Sequence, residues 1–469
     1  MTFTGTLYAA QVFFLAYFIA LNGSYLLLNL FALIAIKRHL DNYSLAELPR
    51  PYSGLEPPVS ILVPAYNEEA TIAASVRSIM QLEYPDFEIL VINDGSRDGT
   101  LNVLLGEFAM APFPMAYQCQ LDCAHIKSIY RSTRHPNLYL IDKENGSKAD
   151  ALNAGINASR YPLFCAVDAD SVLQRDSLAR VIEPFIEDPL TIASGGTVRI
   201  ANGCAVRDGF VVGVALPDNA LALFQIVEYL RAFLFGRLGW TGCNAVLVIS
   251  GAFGVFRRDS VIEAGGYRSG CMGEDMELVV RLHRLYRAAR RPYRIHFVPD
   301  PICWTEAPEN LSVLKSQRIR WQRGLSESIA MNIGLLFHPR GGAPGWLALP
   351  FFILFELASP LIEITGYAFM IGGWLLGVVS ADALTLFMMV ALGFGLLLSV
   401  SALLLEEMSF HIYTRRRDLA RLLAVAVMEN LGYRQLMSFY RLIGLWRWIS
   451  NSKASWGTMT RTAKWQTPT

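Results

Sequence analysis

The chain has little that would let it work through sulfur, a large net charge or a repeated unit. Its seven cysteines (119, 123, 165, 204, 243, 271 and 303) include no Cys-x-x-Cys pair. The Cys119/Cys123 spacing lacks the further histidine or cysteine that a metal site needs, so reduced thiols are expected. Lysine and arginine number 41 against 40 acidic residues, a formal net charge of +1. That balance removes the electrostatic case for bulk nucleic-acid binding. No internal repeat and no long low-complexity tract interrupts the 469 residues. The segment ahead of the first apolar run has no lysine or arginine, so the basic start of a secretory signal is missing. Gly146-Ser147-Lys148 is not a P-loop either, because the earlier glycine of GxxxxGK[ST] is absent.

Apolar sequence is plentiful, 53% of residues, and it is concentrated at the two ends. Leu7 to Ile36 carries no charge and stops at Lys37-Arg38-His39. About 30 residues suffice for one tilted span and are too few for two with a turn. Positive charge behind the span directs the middle of the chain to the cytoplasm. Leu347 to Val379 and Ala383 to Leu405 are two further stretches of spanning length, and Arg415-Arg416-Arg417 follows the second. Leu419 to Leu445 contains Glu429, Asn430 and Arg434. It fits either an interfacial helix before a basic tail or, by its length, a fourth span, and four spans are expected. The chain thus divides into an N-terminal transmembrane helix (1–40), a cytosolic α/β domain (41–335) and a C-terminal transmembrane region with a basic tail (336–469). Prolines 49, 51, 57 and 58 mark the first linker.

The middle reads as strands that end in polar clusters. Val59-Ser60-Ile61-Leu62-Val63 is a continuous apolar strand of the parallel-sheet kind and runs into Pro64-Ala65-Tyr66-Asn67-Glu68-Glu69. Glu88 to Ile92 is a second strand, ending in Asn93-Asp94-Gly95-Ser96. Residues 107–135 read as an irregular insertion. A third strand, Leu138 to Ile141, precedes a helix start at Lys148, where a lysine can meet a diphosphate. A fourth, Pro162 to Val167, opens into Asp168-Ala169-Asp170. Two carboxylates one residue apart can both reach a hard divalent cation, although an isolated Asp-x-Asp also suits helix capping. Every cluster falls at a carboxyl end of a strand, where open α/β sheets bind ligands. Gln225 to Trp240 is apolar but holds Glu228, Arg231 and Arg237, the pattern of an amphipathic helix at a membrane surface or of a core helix.

These residues resemble the inverting family 2 glycosyltransferases with the GT-A (Rossmann-like) fold, and within them the processive membrane synthases of cellulose, hyaluronan and poly-N-acetylglucosamine. The resemblance runs from Val59 to Gly324. Ser250-Gly251-Ala252-Phe253-Gly254 looks like the acceptor-side loop of these enzymes, and Gly273-Glu274-Asp275 matches their catalytic-base motif, which in cellulose synthases starts with Thr. Gln317-Arg318-Ile319-Arg320-Trp321 matches QxxRW, with Gln317, Arg320 and Trp321 on one helix face.

The resemblance implies a UDP-sugar donor held by Pro64, Tyr66, Glu68, Asp94, Lys148, Asp168, Gln317 and Arg320. It implies Mg2+ or Mn2+ on Asp168 and Asp170, and Asp275 as general base. Gly251, Phe253, Glu274 and Trp321 would meet the growing glycan. The expected enzyme is a multi-pass hexosyltransferase of the cell membrane, with its catalytic domain in the cytoplasm and room for an accessory export subunit. It would polymerise a β-linked polysaccharide from UDP-N-acetylglucosamine in preference to UDP-glucose. Transfer of one sugar to a lipid acceptor, or an inactive subunit that keeps the fold, are the alternatives. Glu356 and Glu363 lie seven residues apart on nearly one helix face within an apolar stretch. Carboxylates at membrane depth are costly unless they face protein or water, so they are expected either to line the polymer's exit or to bond a neighbouring helix.

Overall fold

The computed structural model describes residues 3–44, 54–207 and 209–452. Pro49, Pro51 and the basic tail (Lys453, Arg461, Lys464) lie outside the described residues. Twelve strands are described: β1 (Val59–Ala65), β2 (Phe87–Asp94), β3 (Met110–Pro112), β4 (Ile126–Ser132), β5 (Leu138–Lys143), β6 (Leu163–Val167), β7 (Val172–Leu173), β8 (Thr191–Ile200), β9 (Ala205–Arg207), β10 (Phe210–Gly213), β11 (Phe253–Arg257) and β12 (Arg294–Thr305). Ten of them form one sheet in the order β3-β4-β5-β2-β1-β6-β11-β8-β12-β7, and β9 with β10 makes a separate hairpin. β5, β2, β1 and β6 are parallel. β1 is buried along nearly its whole length, as its unbroken apolar run demands of a strand covered on both faces. β11 then enters antiparallel beside β6, Phe253 opposite Val167, so the acceptor-side loop and the Asp168 loop lie next to each other.

Residues 107–135 are an irregular insertion only in part: 113–125 have no regular structure, but β4 pairs antiparallel with β5 and β3 antiparallel with β4, which extends the sheet. Charged, half-exposed strands near the sheet edge such as Ile126–Ser132 lack the apolar run by which a buried strand is read. For Gln225 to Trp240 the packed arrangement agrees with the core-helix alternative, although the α-helix is not continuous. The helix Ala220–Leu230 continues through a π-turn, Arg231–Arg237, into Leu238–Thr241, and a Cβ on Gly239 would stand 2.8 Å from the Leu28 carbonyl of the N-terminal helix. Its charges face protein: Glu228 pairs with Arg318, and Arg231 with Glu429.

The four-span expectation is also not met. Among the described residues two helices are long and apolar enough to cross a membrane, Gly5–His39 and Ala381–Ser409. A third span is formed if Pro344–Leu357 and Ser359–Leu375, bent by 44° at their junction, count as one. Leu419 to Leu445 is interrupted instead: the backbone leaves helical geometry at Leu431 and Gly432, the latter at φ 128°. The helix after the break, Arg434–Ile449, lies against Leu311–Met331, where a Cβ on Gly444 would come within 2.8 Å of the Ile319 carbonyl.

Candidate active site

The carboxyl ends of β1, β2, β5 and β6 open into one cavity of about 1400 Å3. Pro64, Tyr66, Glu68 and Asp94 line one end of it, and Lys148, Asp168 and Asp170 follow. Gly251, Glu274, Asp275, Gln317, Arg320 and Trp321 also line it. Of the site residues expected from sequence, Phe253 alone does not line it. It begins β11, whose side chains are packed in the core, while Gly251 and Ala252 lie in the turn before the strand and line the cavity.

Lys148 starts the helix Lys148–Ala158 and stands at the centre. Its Nζ is 2.5 Å from Asp168 Oδ1, 3.5 Å from Glu274 Oε1 and 3.2 Å from the Gly251 carbonyl it donates to. Burial alone would lower the Lys148 ammonium, but Asp168 and Glu274 outweigh it and hold it above its ordinary value. The Gly251 N–H donates to Asp275 Oδ2 at 3.0 Å. A Cβ on Gly251 would stand 2.9 Å from Lys148 Nζ, so glycine is what allows the loop to pass between the lysine and Asp275. Glu274 is buried, and its carboxyl is pushed up to about 7: burial raises it, Lys148 pulls it back, and Asp275 raises it further.

Asp94 reaches the cavity with a carboxylate that already has partners. Oδ1 accepts from Lys143 Nζ at 2.6 Å and from the Gly146 N–H at 2.9 Å. Oδ2 accepts from the Ser147 N–H at 3.0 Å and from Asn145 Nδ2 at 3.1 Å. Lys143 is fully buried and also pairs with Asp150 at 2.5 Å. Asp94 therefore shapes the loop that delivers Lys148. The register of β2 on β5 sets Asp94 opposite Lys143. The neighbouring loops are clipped together as well: the Glu68 N–H donates to Thr100 Oγ1 at 2.8 Å, and the Arg97 N–H to Asn67 Oδ1 at 2.8 Å.

Gln317, Arg320 and Trp321 sit on the helix Leu311–Met331. Gln317 is buried, while the Trp321 ring is 43% exposed and so open to a ligand. Arg318, which sequence reasoning passed over, anchors this helix: its two Nη atoms reach Glu228 at 2.6 and 2.9 Å, and its guanidinium lies 4.6 Å from the Trp321 ring centre. Tyr433 donates to the same glutamate at 3.0 Å. A bidentate pair of this kind fixes orientation as well as position. Gly273 packs directly on this helix, since a Cβ there would meet the Gly324 backbone at 3.0 Å.

The cavity continues between the apolar helices, where Tyr25, Phe351, Phe355, Glu356, Glu363, Ser438 and Arg441 line it. Glu356 accepts from Arg441 Nη2 at 2.8 Å and from the Tyr25 hydroxyl. Glu363 accepts from Ser438 Oγ at 2.7 Å and from Ser359. Both glutamates thus bond neighbouring helices and also face the cavity. Arg441 also ties this region to the helix Leu311–Met331, donating through Nε to Gln322 Oε1 at 2.8 Å.

No group of three or more histidine, cysteine, aspartate or glutamate side chains suited to a metal occurs among the described residues. Asp168 and Asp170 offer hard oxygen donors in the cavity wall, which suits a cation whose remaining ligands come from a diphosphate and water.

The sheet is GT-A-like, and its strand ends converge on carboxylates, a lysine and an arginine, the setting of a glycosyltransferase site. Residues 57–324 match the family model described as glycosyltransferase like family 2, and the chain belongs to that family. It is 29% identical over 267 residues to the poly-beta-1,6-N-acetyl-D-glucosamine synthase of Staphylococcus aureus strain COL, covering 57% of this chain and 54% of that protein. The enzyme of the same name from Staphylococcus epidermidis is 28% identical over the same length and coverage. The chain spans about half the length of the curated relatives it matches. Among solved structures, mannosyltransferase PcManGT from Pyrobaculum calidifontis, in complex with GDP-Man and Mn2+, superposes with a TM-score of 0.53. It is 20% identical and covers 90% of this chain and 99% of that one, a likeness of fold.

Proposed function

We propose that the protein is a membrane-embedded inverting glycosyltransferase that polymerises a β-linked polysaccharide from a UDP-sugar, UDP-N-acetylglucosamine before UDP-glucose, and exports it. The observation that carries the reading is that one cavity is lined by Lys148, Asp168, Asp170 and Arg320, by a carboxylate (Asp275) and by an open aromatic ring (Trp321). Its extension between the apolar helices supports export, and the likeness to poly-beta-1,6-N-acetyl-D-glucosamine synthases supports the sugar.

In this reading the loops Pro64–Glu68 and Asp94 cradle the nucleotide. Asp168 and Asp170 would hold Mg2+ or Mn2+, which supplies charge neutralisation at the diphosphate. Lys148 and Arg320 add positive charge where the leaving group develops its own. Asp275, oriented by the Gly251 N–H, accepts the proton of the acceptor hydroxyl. That oxygen bonds to the anomeric carbon as the bond to the diphosphate breaks, and UDP departs with its electrons. One displacement inverts the anomeric centre and needs no covalent nucleophile. Trp321 stacks on the acceptor sugar. The basic runs Lys37-Arg38 and Arg415-Arg416-Arg417 favour a cytoplasmic catalytic domain. The test is nucleotide release by purified protein across a panel of UDP-sugars. Release with N-acetylglucosamine as the best donor is expected, and no release with any donor contradicts the reading.

A further inference from the structure

A small foot between the helix Leu311–Met331 and the bent apolar pair takes no part in the site. Ile333, Phe337, Trp346 and Leu347 are each more than half exposed there. The foot is built rather than loose. Phe337 and Trp346 pack edge to face with ring centres 5.3 Å apart, Trp346 Nε1 donates to the His338 carbonyl at 2.8 Å, and the Phe337 N–H donates to the Gly345 carbonyl at 3.1 Å. Phe337 adopts φ 50°, a left-handed conformation that a bulky residue keeps only where its surroundings impose it. Two large aromatic rings are thus held outward.

Arginines flank them. Arg340 Nη1 donates to the Ala288 carbonyl at 3.1 Å. A Cβ on Gly342 would stand 2.7 Å from the Arg287 guanidinium carbon, so the foot rests on the last turn of the helix Glu274–Ala288. Nearby Arg291 pairs with Glu263 and Arg294 with Asp188, whereas among the described residues Arg287, Arg290 and Arg340 make no carboxylate pair. Trp346 and Leu347 belong to Pro344–Leu357, the first half of the bent pair apolar enough to cross a membrane. Exposed aromatics beside uncompensated arginines, at the start of such a helix, match the chemistry of a bilayer surface carrying anionic phosphates.

We propose that this foot binds the headgroups of anionic phospholipids. Phe337, Trp346 and their apolar neighbours enter the boundary between headgroups and acyl chains, and Arg287, Arg290 and Arg340 hold the phosphates. The inference rests on the membrane placement proposed above. It ties the helix whose first turn carries Asp275 directly to the bilayer surface.

The test uses the full chain in nanodiscs of phosphatidylcholine with and without phosphatidylglycerol, following hydrogen exchange over residues 333–343. Exchange should slow when phosphatidylglycerol is present. Arg287→Gln, Arg290→Gln and Arg340→Gln should each return roughly fivefold of that protection, and the triple variant all of it. Quenching of Trp374, which is 46% exposed on Ser359–Leu375, by brominated acyl chains is the control for the span, with Trp374→Phe as reference. Equal exchange in both nanodiscs with Trp374 quenched overturns headgroup binding and leaves the span intact. Protection already present in detergent without phospholipid, or retained in the triple variant, points to self-contact or a protein partner and also overturns it. An unquenched Trp374 overturns the membrane placement itself.

Discussion

Gly273 and Gly324 meet backbone to backbone: a Cβ built on Gly273 lies 3.0 Å from the Gly324 main chain, and one on Gly324 lies 2.8 Å from the Gly273 nitrogen. This contact seats the helix of Gln317, Arg320 and Trp321 against the first turn of the helix that bears Glu274 and Asp275. It accounts for glycine where cellulose synthases carry threonine, since no side chain fits between the two backbones. Gly273→Thr should force the helices apart, at about 1–3 kcal/mol for overpacking. Thermal unfolding should drop by several degrees and transfer should fall further than donor binding. An unchanged melting temperature and rate would show that the interface has slack.

Asp170→Asn should lose transfer by orders of magnitude while the protein still folds, as expected for loss of a ligand to a hard cation. EDTA should silence the wild type, and added Mg2+ or Mn2+ should restore it. Full turnover in EDTA would remove the metal from the account.

Asp275→Asn keeps the shape of the side chain and removes the proton acceptor. Transfer should fail while binding of the UDP-sugar, measured by calorimetry, stays within a few-fold of wild type. Collapse of donor affinity would move Asp275 from the acceptor side to the donor side.

Glu274 gives a pH signature in the metal-free protein. Its carboxyl titrates at about 7 in the fold against 4.5 ordinarily, first because it is buried and despite Lys148. Between those two values the native state holds a proton that the unfolded chain has lost, so stability falls as pH rises from 4.5 towards 7 and levels off above. The whole effect is at most roughly 3 kcal/mol. Denaturant unfolding in EDTA at pH 5 and pH 7.5 should show this fall in the wild type and not in Glu274→Gln. Parallel profiles for the two proteins would mean that Glu274 is ionised throughout.

The parallel half of the sheet was legible because buried strands leave unbroken apolar runs such as Val59 to Val63, and the polar clusters at their ends marked the cavity wall. β3 and β4 were not: β3 is only three residues, Met110–Pro112, and β4 mixes Lys127 and Arg131 with its apolar residues. The roles of Arg318 and Lys143 were hidden for a different reason: each depends on a partner far along the chain, Glu228 for one and Asp94 for the other. Phe253 shows the limit of reading a motif as a unit, because the motif crosses from an open turn (Gly251, Ala252) into a buried strand that starts at Phe253. Length alone suggested a span at Leu419 to Leu445, and length does not register the break at Gly432 or the polar groups at Glu429 and Asn430 that bond within the protein.

The central claim is polymerisation, and the size of the product tests it most directly. Purified protein in nanodiscs would be given labelled UDP-N-acetylglucosamine and stopped while little donor has been consumed. The account predicts long chains alongside untouched acceptor, with Trp321→Ala giving shorter ones. Acceptors that each gain a single sugar, or label found only in a lipid product, would contradict it.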